Sequence, residues 1–178
     1  MNTLICCLVS YKNNHYIGRS ETIYTSRLLL LTDLETIASF PQNEDELYYM
    51  FPKATYPLTP SQLEEGARTR FKPTVIIHND EVVAYANLYD LDGDYCWLGN
   101  VIVSIDYRGK GVSQYLIKVM ASVAKDELKV RALRLTCHNT NIRGIFFYTK
   151  IGFKPFEISR IEKYPGDLVA GIRMEMEL

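Results

Sequence analysis

Gly109 and Gly111 alternate with Arg108 and Lys110 in the stretch SIDYRGKGVSQYLI, residues 104–117, which joins an apolar run to an amphipathic one. Glycine removes the side chain and admits φ > 0, so backbone N–H groups can come close to a ligand. The amphipathic run reads as a helix, whose first N–H groups lack internal partners and whose macrodipole adds roughly half a positive charge. Together with two cations, this is the chemistry of an anion held at a helix start, and a pyrophosphate would satisfy it. The glycine spacing alone serves equally for a plain strand-to-helix turn with solvated cations.

Two phosphate-binding patterns fail on the letters. A nucleotide P-loop needs G-x4-G-K-[ST], and the first glycine is missing ahead of Gly109-Lys110. A dinucleotide fingerprint needs a third glycine where Gln114 stands, after a parallel strand rather than after hairpins. Calcium fails as well. Asp90, Asp92 and Asp94 have the right start, but an EF-hand loop would need glycine at Tyr95 and glutamate at Val101. The cysteines at 6, 7, 96 and 137 and the histidines at 15, 78 and 138 have no metal-ligand spacing, so no metal is expected. His138 has the chemistry for a proton relay or a polar cap. Glu44, Asp45 and Glu46 suit either attraction of a cationic amine or an ordinary helix start.

The elements that would position these residues follow from periodicity. SRLLLLTD, 26–33, reads as a strand, and Asp33 stands as N-cap to a short helix. Residues 43–71 read as two short helices broken by Pro52, Pro57 and Pro60, with Thr59 capping the second and Pro60 at its first position. Three strands follow, turning at His78-Asn79-Asp80 and at Asp92-Gly93. Val112, Leu116, Val119 and Val123 then mark one face of a helix reaching about Leu128. ALRLTC is a buried strand. NTNIRGIFFYTKIGF is a capped helix ending at Gly152, and the chain closes on a hairpin through Pro165-Gly166-Asp167. In the last strand Ile172, Met174, Met176 and Leu178 alternate with polar residues, which gives it one buried face. The glycine turn therefore sits at the carboxyl end of the fourth strand of a mixed α/β sheet.

Arg108-Gly109-Lys110-Gly111-Val112-Ser113 resembles the R-x-x-G-x-G/A acetyl-CoA signature of the GNAT N-acetyltransferase superfamily. Asn141, Gly144, Phe147-Tyr148, Lys150 and Gly152-Phe153 resemble that family's N-x-x-A-x-x-x-Y-x-K-x-G-F helix. The departures are Ser113 for Gly or Ala and Gly144 for Ala, the latter weakening the helix by about 1 kcal/mol. The resemblance covers residues 26–178, leaving 1–25 as an extension of unknown role. It implies a mostly antiparallel central sheet of six to seven strands flanked by helices, with strands four and five splayed.

It also implies acetyl-CoA as co-substrate and a primary amine of a small molecule or peptide as acceptor. Val101 and Val103 would pair with the pantetheine arm, and Ile102 or Val103 would offer an N–H to the carbonyl oxygen. The amides from Arg108 through Ser113 would bind the pyrophosphate, and Asn141 would bind the arm. Tyr148 would act as acid to the leaving thiolate. A glutamate common in the family on strand four is Tyr95 here, so the general base is open, and a CoA-binding regulatory module is the alternative.

Composition bounds the rest. The chain has 178 residues, 47% hydrophobic, 23% charged, with 20 basic against 21 acidic side chains and a net charge of −1. That balance argues against a nucleic-acid partner. The apolar start MNTLICCLVS is too short to span a bilayer and lacks a basic flank, so no membrane partner is expected; an edge strand or loose extension is. The cysteines read as buried thiols of a reducing cytoplasm. An exposed edge on the last strand would be where a homodimer could form.

Overall fold

The computed structural model describes residues 24–164 and 166–178. The expectations for the N-terminal run, and for Pro165 in the last turn, lie outside the described residues.

The elements are β1 (Thr25–Leu28), α1 (Leu34–Ala38), α2 (Glu44–Met50), α3 (Pro60–Ala67), β2 (Phe71–His78), β3 (Glu81–Asp92), β4 (Tyr95–Val103), α4 (Val112–Asp126), β5 (Ala132–His138), α5 (Ile142–Lys150), β6 (Lys154–Tyr164) and β7 (Asp167–Glu177). They form one seven-stranded sheet in the order β1-β2-β3-β4-β5-β7-β6. All neighbours are antiparallel except β4 and β5. The turn between β2 and β3 places Asn79 at φ 49° and Asp80 at φ 64°, the pair of positive angles that matches a two-residue hairpin to strand twist.

Period-two alternation gives the sheet two buried faces. Ala84, Ala86 and Leu88 of β3 and Leu133, Leu135 and Cys137 of β5 pack beneath α4. Val75, Tyr85 and Ile102 pack beneath α1–α3. Helix α4 buries Val112, Leu116, Ile117, Met120 and Ala124. The expected stripe through Val119 and Val123 is thus rotated, because steps of four from Val112 follow the sheet while those two valines lie at the margin of the core.

One further expectation is refined and another corrected. Asp33 does stand at the N-cap of α1, but its carboxylate does not bond the helix. Its buried carboxylate instead forks with Arg27 at 2.6 and 2.8 Å and accepts the Leu30 N–H at 2.8 Å, fixing the turn before the helix. The last strand has no free edge either. β7 lies between β5 and β6, and the sheet edge falls to β6.

Candidate active site

β4 and β5 pair only at Tyr95–Trp97 with Ala132–Arg134. Past these three pairs the strands share no register, and β5 continues along β7 as far as His138↔Gly171. The opening has a local cause in β4. Between the pairs Asn87↔Gly99 and Tyr85↔Ile102, two residues of β4 oppose one of β3. This is a β-bulge, which bends the strand and redirects its side chains. Asn100 takes φ 52° there, an angle that asparagine tolerates better than most residues. Its side chain accepts from Asn87 Nδ2 at 2.8 Å and donates to the Met50 carbonyl at 3.1 Å, so β3 and α2 both hold the bulge. No residue pattern in the sequence marks Asn87 and Asn100 as a pair. Gly99-Asn100 within a strand was the available signal, since strand glycine often marks a bulge.

The loop at the end of β4 carries Gly109 at φ 76° and Gly111 at φ 87°. Among the described residues no non-neighbouring atom lies within 4 Å of where either glycine's Cβ would be, so these positions need glycine for backbone angle rather than for room. α4 begins at Val112 with no side-chain cap. The N–H groups of its first turn, Val112 and Ser113 included, therefore have no side-chain cap among the described residues. Two of the amides expected at an anion are turned inward: Arg108 N–H to Ile105 at 3.3 Å and Lys110 N–H to Tyr107 at 3.4 Å.

The guanidinium of Arg108 is also engaged. It forks onto Glu46 at 2.6 and 2.9 Å and donates through Nε to the Val103 carbonyl at 3.2 Å. This pairing holds the Glu46 carboxyl below its ordinary range, against the opposing effect of burial. The Lys110 ammonium sits 5.2 Å from the Tyr107 ring, and the Lys110 carbonyl accepts from the Tyr24 hydroxyl at 2.9 Å.

Val101 is half-buried, whereas Ile102 and Val103 are buried. These residues form the unpaired lip of β4 on the side facing β5. On the opposite lip, Asn141 caps α5, its Oδ1 accepting the Gly144 N–H at 2.9 Å. A Cβ on Gly144 would meet that side chain at 2.6 Å, which gives the sequence's glycine a packing reason. Tyr148 packs edge-on to Phe153 and beside Phe147. Burial, and then the neighbouring Cys137 thiol, raise its hydroxyl well above the usual tyrosine range. Burial pushes the Cys96 and Cys137 thiols up to about 11.

Tyr95 stands at the closed end of the cleft, where its hydroxyl donates to Asp92 at 2.8 Å. Asp94 faces Arg131 at 3.5 Å, both strongly exposed. The acidic hairpin thus lies away from the opening. Of the carboxylates at the start of α2, Asp45 binds Lys163 and Glu46 binds Arg108, both at 2.6 Å. His138 is buried beneath Tyr48 with ring centroids 4.4 Å apart. Among the described residues, no three His, Cys, Asp or Glu side chains form a group able to hold a metal, and no helix is long and apolar enough to cross a membrane.

A family model described as "Acetyltransferase (GNAT) family" matches residues 33–153. No curated protein matches the chain. Among solved structures, the chain is similar to the spermidine N-acetyltransferase of Vibrio cholerae in complex with CoA and spermine, with a TM-score of 0.72 at 18% identity over 86% of this chain and 95% of that one. The ribosomal-protein-S18-alanine N-acetyltransferase of Escherichia coli aligns with a TM-score of 0.68 at 20% identity, covering 87% and 94% of the two chains. A GNAT family acetyltransferase from Elizabethkingia anophelis with acetyl-CoA bound gives 0.63 at 18% identity, covering 89% and 100%. At these identities the likeness is one of fold.

Proposed function

The chain belongs to the GNAT acetyltransferase family, and from that premise we propose that it moves the acetyl group of acetyl-CoA to a primary amine of a small molecule or peptide by direct attack. The observation that carries this reading is the uncapped start of α4, with Gly109 and Gly111 at positive φ, at the mouth of the β4–β5 cleft. Bound there, acetyl-CoA supplies an activated acyl group as a thioester.

The chain's own residues have separate tasks in this reading. The N–H groups of Gly109, Gly111, Val112 and Ser113 bind the pyrophosphate, assisted by the charge of Lys110, while the Arg108 and Lys110 amides shape the loop from within. Val101 and Val103 present backbone groups to the pantetheine arm. The Val103 carbonyl accepts Arg108 Nε on one lone pair and keeps the other for the arm. An N–H from Ile102 or Val103 polarises the thioester carbonyl. Asn141 keeps its carboxamide N–H groups for the arm, since its oxygen is used by α5.

Tyr148 serves the leaving sulfur. A free thiol has a pKa of about 8.5, well below a raised tyrosine, so in water proton transfer from tyrosine would run uphill. The cleft narrows that mismatch, because the burial that pushes the Cys96 and Cys137 thiols up to about 11 would also raise a thiol formed beside Tyr148, whose hydroxyl hydrogen-bonds the departing sulfur and yields its proton as the C–S bond breaks. Residues 26–178 form the transferase unit, and the extension's last described residues include Tyr24, which is tied to the glycine loop. The cytoplasm is the proposed setting, supported by the free buried thiols Cys96 and Cys137.

Calorimetric titration with acetyl-CoA tests the reading first, with micromolar binding expected. Thiol release is then followed with amino acids, polyamines, aminoglycosides and peptides as acceptors. No binding at micromolar concentration overturns the proposal. Binding without release from any amine favours a CoA-binding regulatory module, a reading motivated by Tyr95 at the position where a base is common.

A further inference from the structure

The acceptor side of the cleft contains polar atoms with no use in the fold. Tyr48 Oη, Asn87 Oδ1 and His138 Nδ1 are fully enclosed without a hydrogen-bond partner among the described residues. Buried polar groups are rarely left unpaired, and each instance needs an explanation such as a ligand or an unseen water. All three belong to residues on the face covered by α1–α3. Helix α2 connects the two lips there, with Tyr48 against His138 of β5 and the Met50 carbonyl on Asn100 of β4.

We propose that His138 is the proton acceptor for the incoming amine, standing under Tyr48 on the acceptor side of the β4–β5 cleft. This rests on the transferase reading above and supplies the base that reading lacks. Four carboxylates around the site are held in ion pairs: Glu46 with Arg108, Asp45 with Lys163, Glu175 with Arg134 at 2.6 Å and Glu157 with Arg173 at 2.8 Å, while Asp167 acts on Tyr48. The His138 imidazole, by contrast, has Nδ1 without a partner among the described residues.

Its surroundings keep that nitrogen available. Burial first, and then the positive charge of Lys163 from β6, hold His138 below the ordinary histidine value. The Tyr48 and Tyr49 rings face it from α2. Asp45, also of α2, is bound to Lys163 rather than to the imidazole. In the transfer the C–N bond forms as the C–S bond breaks. The proton from the amine nitrogen goes to the His138 ring, directly or through one water between the ring and Tyr48, and the departing sulfur takes a proton from Tyr148.

The test uses the full chain with CoA, acetyl-CoA and n-butylamine, a primary amine that asks nothing of the site but amine chemistry. Ring-labelled histidine gives three NMR signals at most, from His15, His78 and His138, and His138→Gln assigns the last. The expected His138 signal titrates below 6.5 in the CoA complex and moves when n-butylamine is added. His138→Gln keeps CoA affinity within about threefold, loses on the order of 100-fold in thiol release, and loses the acid limb of the pH–rate profile. Lys163→Met removes the repelling charge, so the limb and the NMR midpoint both move to higher pH.

A folded His138→Gln protein that releases thiol within about threefold of wild type with an unchanged limb overturns this inference alone. So does a His138 signal indifferent to n-butylamine. Failure of the wild type to bind CoA overturns the transferase reading and this inference together.

Discussion

The two sides of the β4–β5 cleft are built from different materials. The side bearing α4 and α5 is made of backbone: glycines at positive φ, an uncapped helix start and the unpaired lip of β4. The side bearing α2 is made of side chains, with Tyr48 Oη, Asn87 Oδ1 and His138 Nδ1 buried without a partner among the described residues and Arg108 reaching across to Glu46. Backbone groups recognise what every pyrophosphate and amide arm shares. Side chains can differ from one acceptor to the next. The contrast predicts that substitutions on the first side act on cofactor affinity and those on the second act on rate, pH profile and acceptor choice.

Gly111→Val tests the first half with the largest effect. A Cβ at Gly111 meets none of the described residues within 4 Å, but a β-branched residue in left-handed backbone costs upwards of 1–2 kcal/mol. The loop either pays that strain or leaves the conformation that exposes its amides. Calorimetry should show CoA affinity down by about 100-fold, equivalent to roughly 2.7 kcal/mol. A variant that binds CoA as wild type does would break the comparison at its base.

Tyr148→Phe sharpens it from within the cofactor side, because here a side chain carries chemistry. The ring keeps its packing on Phe147 and Phe153 and loses only the hydroxyl. Turnover should fall by about 10–100-fold, with the CoA dissociation constant within about threefold. The reverse pattern removes the acid role.

The contrast also explains what could be read in the residue order. Strand and helix succession, the hairpin turns and the glycine loop follow from periods of 2 and 3.6 and from residues with special φ. The splay of β4 from β5 came only through family likeness, because its cause is one bulge at Asn100 held by Asn87 and the Met50 carbonyl. No local pattern places those groups together. The same holds for Arg108 and Glu46, which are 62 residues apart, and for His138 under Tyr48. Position 95 read as an empty base site, but Tyr95 lies at the closed end of the cleft, and the imidazole whose Nδ1 has no partner among the described residues is contributed by another strand.

Glu46→Gln probes an ion pair that ties the two sides together. The pair is mostly shielded, with about a quarter of the Glu46 side chain and a third of that of Arg108 exposed, and its loss should cost about 1–2 kcal/mol at neutral pH. The folded-state pKa of Glu46 lies below its unfolded value. Its contribution is therefore present above the ordinary glutamate pKa of about 4.3 and is lost as pH falls through the depressed value. Urea melts at neutral and at acid pH should show the variant less stable than wild type near pH 7 and converging on it in acid. Equal differences at both pH values would mean that the pair contributes packing rather than charge.

Gly144→Ala has the smallest expected effect and separates the two kinds of material most finely. Alanine in a helix interior gains about 1 kcal/mol over glycine. The new Cβ would stand 2.6 Å from Asn141 Nδ2 and 2.8 Å from its Cγ, so the asparagine must swing away and give up the bond from the Gly144 N–H. Losing such a cap costs about 1 kcal/mol. The two effects nearly cancel, and the melting temperature should change little. CoA affinity has no such compensation, because the displaced carboxamide no longer points where the pantetheine arm is proposed to lie. A loss of about 3–10-fold, typical of one net hydrogen bond, at unchanged stability would assign Asn141 to cofactor binding. A gain in stability with unchanged affinity would leave it as a helix cap and move that part of the arm's recognition onto the β4 backbone.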